Sequence, residues 1–205
     1  MIDLYTWPTP NGRKISIALE EFAAPYEVHP VNLQNDEQFA EHFLAISPNN
    51  KIPAIIDRDN GMSLMESGAI LVYLAEKYGK FLPKDSIARA EVNEWLMWQM
   101  GGVGPMFGQA HHFMFNPKEV VPYGQKRYHD ETKRLYMVMN DRRLNETEYL
   151  AGGFYSIADI AVYPWVSRHE RHEVDLNEFP NVKRWFDTIS AREAVQKGMA
   201  VPFAN

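Results

Sequence analysis

The sequence predicts an α/β unit of about 80 residues followed by an all-helical region, each of ordinary domain size. Three observations carry this reading. Strand and helix signals alternate as β-α-β-α-β-β-α as far as Tyr78. Gly79-Lys80-Phe81-Leu82-Pro83-Lys84-Asp85 then reads as a linker. Beyond it strand signals fade and helical periodicity takes over. The expected division is residues 1–80, a linker at 81–86, and residues 87–205.

Ile2 to Thr6 reads as a short strand. Gly12 to Ala24 is a helix, with Ile15, Ala18, Leu19 and Phe22 at i, i+3, i+4, i+7 spacing. Tyr26 to Leu33 is a second strand broken by Pro30, Asp36 to Ala45 a short helix, and Ser47-Pro48-Asn49-Asn50 a turn. Ile52–Asp57 and Met62–Glu66 flank Arg58-Asp59-Asn60-Gly61, whose Asn-Gly is a hairpin signal. Ser67 to Tyr78 is a helix with Ile70, Leu71, Leu74 and Tyr78 on one side. Ile87–Phe115, Tyr123–Asn145, Ser156–Arg171 and Asn181–Ala191 are the later helices. Ser156-Ile157-Ala158-Asp159 has capping-box spacing, with Asp in place of Glu or Gln.

Composition removes several function classes. The 205 residues carry a formal net charge of −6, which argues against a nucleic-acid partner, since such partners favour a basic face. The acidic surplus sits in residues 1–80, with 11 acids against 6 bases; the remainder is nearly balanced. There is no cysteine, so disulfide scaffolds, thiolate metal sites and cysteine nucleophiles are excluded. Any thiol chemistry must arrive with a ligand. The N-terminus lacks a basic and an apolar signal region, so a cytoplasmic protein is expected. Residues 95–115 contain no charged side chain, but two Gln, two His, four Gly and a Pro make them a buried, kinked helix rather than a membrane anchor.

Two segments point to a ligand. In Lys51-Ile52-Pro53-Ala54-Ile55-Ile56-Asp57 a proline enters an apolar strand, which marks an edge, a bulge or a cis bond. The backbone N–H and C=O of Ile52 are then left for an extended peptide ligand. Ten residues on, Glu66-Ser67-Gly68 offers a carboxylate for an ammonium, and a hydroxyl plus helix N-terminal N–H groups for a carboxylate. A small site that holds an α-amino acid end and a peptide backbone suggests glutathione.

The order of elements, the proline-entered third strand, Glu66-Ser67 and the helical second part together resemble the cytosolic glutathione transferases over essentially the whole chain. Pro8-Thr9-Pro10-Asn11-Gly12-x-Lys14, Ser47-Pro48-Asn49-Asn50-Lys51-Ile52-Pro53 and Gly101-Gly102-Val103-Gly104-Pro105-Met106 are similar to the bacterial nu class, whose members are glutathione-dependent disulfide-bond reductases. The resemblance implies a thioredoxin-like N-terminal domain, an all-helical C-terminal domain and a homodimer.

A free thiol with a pKa of about 8.5 is only about 3% thiolate at neutral pH. Lowering that pKa by about two units requires about 2.7 kcal/mol, within reach of one charge-assisted hydrogen bond. Thr9 and Asn11, between the first strand and first helix, are the candidate catalytic donors. Without the resemblance, turn and N-cap chemistry is the better account of them; with it, the ligand reading prevails. Tyr5 is the rival donor, but the alternation of Ile2 and Leu4 with Asp3 and Tyr5 gives it a packing role. Ile52 and Pro53 carry the backbone contact, and Glu66 and Ser67 the amino-acid end. Lys51 pairs with a glycine carboxylate or is a solvated lysine. The resemblance adds Gln38 as a contact and Arg127 as the holder of glutathione disulfide; a polar helix face explains either.

His169 and His172, with Glu170 and Glu173 nearby, read as an exposed charged helix end, and no metal is expected. The expected reaction is thiol–disulfide exchange on small thiols and disulfides, with glutathione as co-substrate. Conjugation of glutathione to electrophiles and a non-catalytic glutathione-binding role are the rivals.

Overall fold

Ile2, Leu4 and Thr6 of β1 (Ile2–Thr6) are buried, and that strand runs through the middle of a four-stranded sheet. β2 (Tyr26–Pro30) pairs with it in parallel, and β3 (Ala54–Asp57) antiparallel on its other side. β4 (Met62–Met65) closes the order β2-β1-β3-β4, with Ala54 opposite Met65 and Asp57 opposite Met62. The computed structural model describes residues 1–115 and 117–202. Asn60-Gly61 makes the β3–β4 turn, with Gly61 at φ 73° and its N–H on the Asp57 carbonyl.

α1 (Pro10–Phe22) connects the parallel pair and buries Ile15, Ala18, Leu19 and Phe22. It starts two residues earlier than the periodicity suggests, because Pro10 takes a first-turn position that needs no N–H. Between β2 and β3 the single helix expected over residues 36–45 is broken. Short 3₁₀ turns cover Leu33–Asn35 and Glu37–Phe39, and only α2 (Glu41–Leu44) is α-helical. Ala40, extended at φ −66° and ψ 138°, separates Glu37–Phe39 from α2, and Asp36, left-handed at φ 59°, separates the two 3₁₀ turns. α3 (Ser67–Tyr78) packs on α1 and buries Ile70, Leu71 and Leu74.

The second compact unit spans Pro83–Ser190. α4 (Ser86–Trp98) is capped by Asp85, whose carboxylate accepts from Ile87 and Ala88 N–H. It continues through a wider π-helical turn at Gln99–Val103 into α5 (Gly104–Met114). Pro105 offers no N–H to the preceding turn, so the irregular step falls at the glycines where a bend is expected. α6 (Pro122–Met137) ends the same way at Val138–Arg143. α7 (Ile157–Val166) is almost wholly buried and begins with the expected capping box. α8 (Pro180–Ser190) follows.

Past α7 the reading changes. His169–His172 is a 3₁₀ turn, and His172 is fully buried with its ring 5.0 Å from that of Phe107. The tight turn carries one face of a charged sequence inward, so this is not an exposed helix end.

The first compact unit contains residues 1–82 and also the chain from Ala191 onward. α9 (Glu193–Ala200), absent from the sequence reading, packs against α1. A Cβ built on Gly198 would stand 2.5 Å from the Ile17 Cα, and Ser16 Oγ donates to the Gly198 carbonyl at 2.7 Å. The helical region drawn from sequence over residues 87–205 thus gives its last helix to the other unit, because glycine lets two backbones touch. Phe203–Asn205, the last residues of that range, and Asn116 within it lie outside the described residues.

Candidate functional site

Thr9 is the N-cap of α1. Its hydroxyl accepts from Gly12 N–H at 3.1 Å while its own carbonyl receives Arg13 N–H. The accepted bond uses a lone pair and leaves the hydroxyl proton able to donate. Asn11 follows in the first turn of the helix. Gly12 is needed here because a Cβ would run into the Trp7 carbonyl and Thr6 side chain at the end of β1. The chain therefore folds hard from β1 into α1, with a hydroxyl, an amide and a helix N-terminus brought together.

The other side is set by the turn after α2. Ser47, fully buried, donates from Oγ to the Lys51 carbonyl at 2.8 Å, and Asn50 N–H bonds the Ser47 carbonyl. Asn50 takes φ 50°, a conformation that asparagine tolerates. Lys51 is exposed, Pro53 is buried, and the Ile52–Pro53 bond is cis. The β3 ladder begins only at Ala54, so Ile52 makes no backbone hydrogen bond among the described residues.

Thr9, Asn11, Gln38, Lys51 and Ile52 line one cavity of about 250 Å³, together with Leu33 and Asn50. Gln38 reaches it from a 3₁₀ turn; its Nε2 donates to Asp36 and its buried Oε1 has no partner among the described residues.

Glu66 and Ser67 do not line that cavity, but the sheet register sets them beside it. Met65 pairs with Ala54, which puts Glu66 next to Pro53 one step further along the two strands. Glu66 is exposed and held at φ 69°, ψ 109°, outside the region ordinary side chains occupy. Such backbone costs about 1–3 kcal/mol and persists only where surrounding structure imposes it. Ser67 is 4% exposed and accepts from Lys14 Nζ at 3.2 Å. Lys14 is the residue sequence reasoning passed over. Its position beside Ile15, Ile17 and Ala18 on a buried helix face was the available signal.

Tyr5 is not part of this cavity. Its ring stacks on His29 with centroids 4.7 Å apart and packs against the Val31, Phe43 and Ala54 cluster, and burial raises its pKa. Asp3, Glu27 and His29 bring three ligand-type atoms within 4.8 Å of one another. Arg58 already supplies the cation there, binding Asp3 through two nitrogens and Glu27 at 2.6 Å. Among the described residues no helix is long and apolar enough to cross a membrane.

Arg127 belongs to the second unit. It lines a groove of about 670 Å³ with Met106, Tyr123, Tyr128 and Arg134. Arg134 is spent on Glu131 and Lys126 on Asp130, whereas Arg127 has no hydrogen-bond or ion-pair partner among the described residues.

The N-terminal domain model of the glutathione S-transferases matches residues 1–76, and the C-terminal domain model matches residues 103–193. The chain belongs to the glutathione S-transferase family. This family member is 50% identical over 204 residues to the disulfide-bond oxidoreductase YfcG of Escherichia coli (strain K12), covering 97% of this chain and 94% of that protein. A glutathione transferase of Burkholderia graminis, solved with two glutathione molecules bound per subunit, matches with a TM-score of 0.92 at 44% identity, over 100% of this chain and 89% of that one. A glutathione transferase of Pseudomonas putida, solved with one glutathione disulfide per subunit, matches with a TM-score of 0.93, also at 44% identity, over 98% and 91% of the two chains. The fold class expected from the sequence is thus that of the family.

Proposed function

We propose that this protein is a glutathione-dependent disulfide-bond oxidoreductase, with glutathione as co-substrate and no resident metal. One observation carries the reading most directly. A chain without cysteine gathers Thr9, Asn11, Gln38, Lys51 and Ile52 around one cavity at a helix N-terminus. The names of the 50%-identical relative and of the two glutathione-bound structures support the same chemistry.

In this reading the Thr9 hydroxyl and Asn11 amide donate to the glutathione sulfur and favour its thiolate. The backbone of Ile52 pairs with the peptide part, Glu66 takes the ammonium and Ser67 the neighbouring carboxylate. Lys51 answers the glycine carboxylate, and Pro53 shapes the turn. The thiolate attacks a small disulfide, forming a mixed disulfide and expelling one thiolate, which takes up a proton. A second glutathione thiolate attacks the mixed disulfide, yielding glutathione disulfide and the second thiol. Arg127, planar and without an ion-pair partner among the described residues, suits the carboxylates of that second glutathione.

The glutathione-binding role falls to the first 80 residues, joined through a linker at 81–86 to the helical part. We assign the protein to the cytoplasm, where a reducing glutathione pool is maintained. A homodimer is the proposed assembly; exposed Ile87 and Met97 on α4 support cover by a second copy.

The test compares glutathione turnover of a small model disulfide with turnover of an activated aryl halide, in wild type, Thr9→Ala and Asn11→Ala. Disulfide turnover that dominates and falls about tenfold to a hundredfold in a variant, the size of one charge-assisted hydrogen bond, supports the reading. Dominant conjugation would move the protein to the conjugating transferases. Glutathione binding without turnover of either substrate would leave a binding protein.

A further inference from the structure

Lys51 and Ile52 line the cavity, and the peptide between them is trans, the cis bond falling one residue later at Ile52–Pro53. In a trans peptide the C=O of one residue and the N–H of the next point in opposite directions. The Lys51 carbonyl is held from the protein interior by Ser47 Oγ at 2.8 Å, and Ser47 is fully buried. The Ile52 N–H is therefore turned the other way, out from the interior, and it has no backbone partner among the described residues. We propose that Ser47 is a positioning residue. By fixing the Lys51 carbonyl it sets the plane of the Lys51–Ile52 peptide and so aims the Ile52 N–H at the ligand's peptide carbonyl. This inference rests on the glutathione reading above and names the residue that controls the backbone contact in it.

Every bonding group of Ser47 is committed to this turn. Its N–H donates to the Phe43 carbonyl at 2.8 Å, which ties it to α2, and its carbonyl accepts from Asn50 N–H, also at 2.8 Å. The hydroxyl has a single proton to give. The Met65 sulfur, 3.9 Å from Oγ, is a weak acceptor, so that proton goes to the Lys51 carbonyl. Left-handed Asn50, at φ 50°, lets the chain double back between Ser47 and Lys51. Pro53 has no N–H, and β3 begins only at Ala54, so no strand partner sets the orientation of the Lys51–Ile52 peptide. Without the Ser47 hydroxyl the Lys51 carbonyl is released to turn toward water. The Ile52 N–H swings with it, because the peptide moves as one plane.

The experiment compares two S-methylated ligands by calorimetry. S-Methylglutathione carries the cysteinyl carbonyl and the glycine. γ-Glutamyl-2-(methylthio)ethylamide keeps the γ-glutamyl end and the sulfur and lacks both. Ser47→Ala is expected to weaken S-methylglutathione about fivefold to tenfold, the size of one hydrogen bond, and to leave the truncated ligand within about twofold of wild type. A merely structural loss would weaken both ligands alike. On saturation with S-methylglutathione, the Ile52 amide proton of wild type is expected to move downfield in NMR spectra, and to move less in the variant. Ser47→Cys, close in size and a weaker donor, replaces Ser47→Ala if that variant does not fold. Equal losses on the two ligands, or an Ile52 shift as large in the variant as in wild type, overturns the role of Ser47. No binding of S-methylglutathione by wild type overturns the glutathione reading instead, so the two failures are distinct.

Discussion

The indole N–H of Trp185 donates to Asp159 Oδ1 at 2.9 Å, joining α8 to the first turn of α7 inside the helical unit. The same carboxylate accepts from Leu150 N–H and Ser156 N–H, both at 2.9 Å, and from Ser156 Oγ at 3.0 Å. One fully buried side chain thus answers donors from a loop, a helix cap and a second helix.

Replacing it exposes that dependence. Asp159→Ala leaves several buried donors without an acceptor, so a loss of about 3–5 kcal/mol is expected. Chemical denaturation checks this, with Ser156→Ala costing only about 1 kcal/mol as a single cap deletion. Equal losses in the two variants would mean that Asp159 acts only as part of the cap.

Glu66 stores backbone strain where the ligand ammonium is proposed to sit. Glu66→Gly removes the strain of φ 69° and is expected to raise or preserve the melting temperature while weakening glutathione binding at least tenfold. Glu66→Gln keeps the strain and loses the charge, so it should lose binding without gaining stability. A drop in melting temperature for the glycine variant, beyond the ordinary entropy penalty of glycine, contradicts the strain assignment.

His172 predicts a component of acid lability. Burial and the nearby His111, Arg168, His169 and Arg171 push its pKa down to about 3, against an ordinary value of 6.5. The unfolded chain binds a proton there that the folded one refuses. Stability from this group is therefore complete above about pH 6.5 and lost progressively as pH falls toward about 3. His172→Phe should lose less stability than wild type between neutral pH and about pH 4, measured by urea midpoints. Parallel losses in the two proteins would remove His172 from the account.

Gly198 is expected to accept no side chain. A methyl group there meets the Ile17 backbone, so Gly198→Ala should destabilise by about 1–3 kcal/mol through overpacking. Gly153→Ala, where a Cβ meets nothing within 4 Å, is the control expected to stay within about 0.5 kcal/mol.

Much of this architecture was local enough to be read directly. β1 and α3 have the bounds that alternation and helical spacing predict, and the Asn60-Gly61 turn and the Ser156–Asp159 capping box form where their signals stand. These features depend on side chains two to four positions apart, which a sequence displays. The residues around the cavity were legible for the same reason. Thr9 and Asn11 announce a helix start, and Lys51-Ile52-Pro53 a strand entry.

What stayed hidden depends on distant partners. The stretch from Asp36 to Ala45 reads as one short helix, yet Ala40 takes extended backbone and splits it. Neither the burial of His172 nor the seat of α9 can be read from neighbours in sequence, because Phe107 and Ile17 are far away along the chain. Lys14 is the sharpest case. By itself the sequence determined an α/β unit, a helical unit and the residue types of the proposed glutathione site. Only the tertiary structure decided that Lys14 is buried against Ser67, because the packing of α1 on α3 excludes water from an ammonium that the sequence alone would leave in solvent.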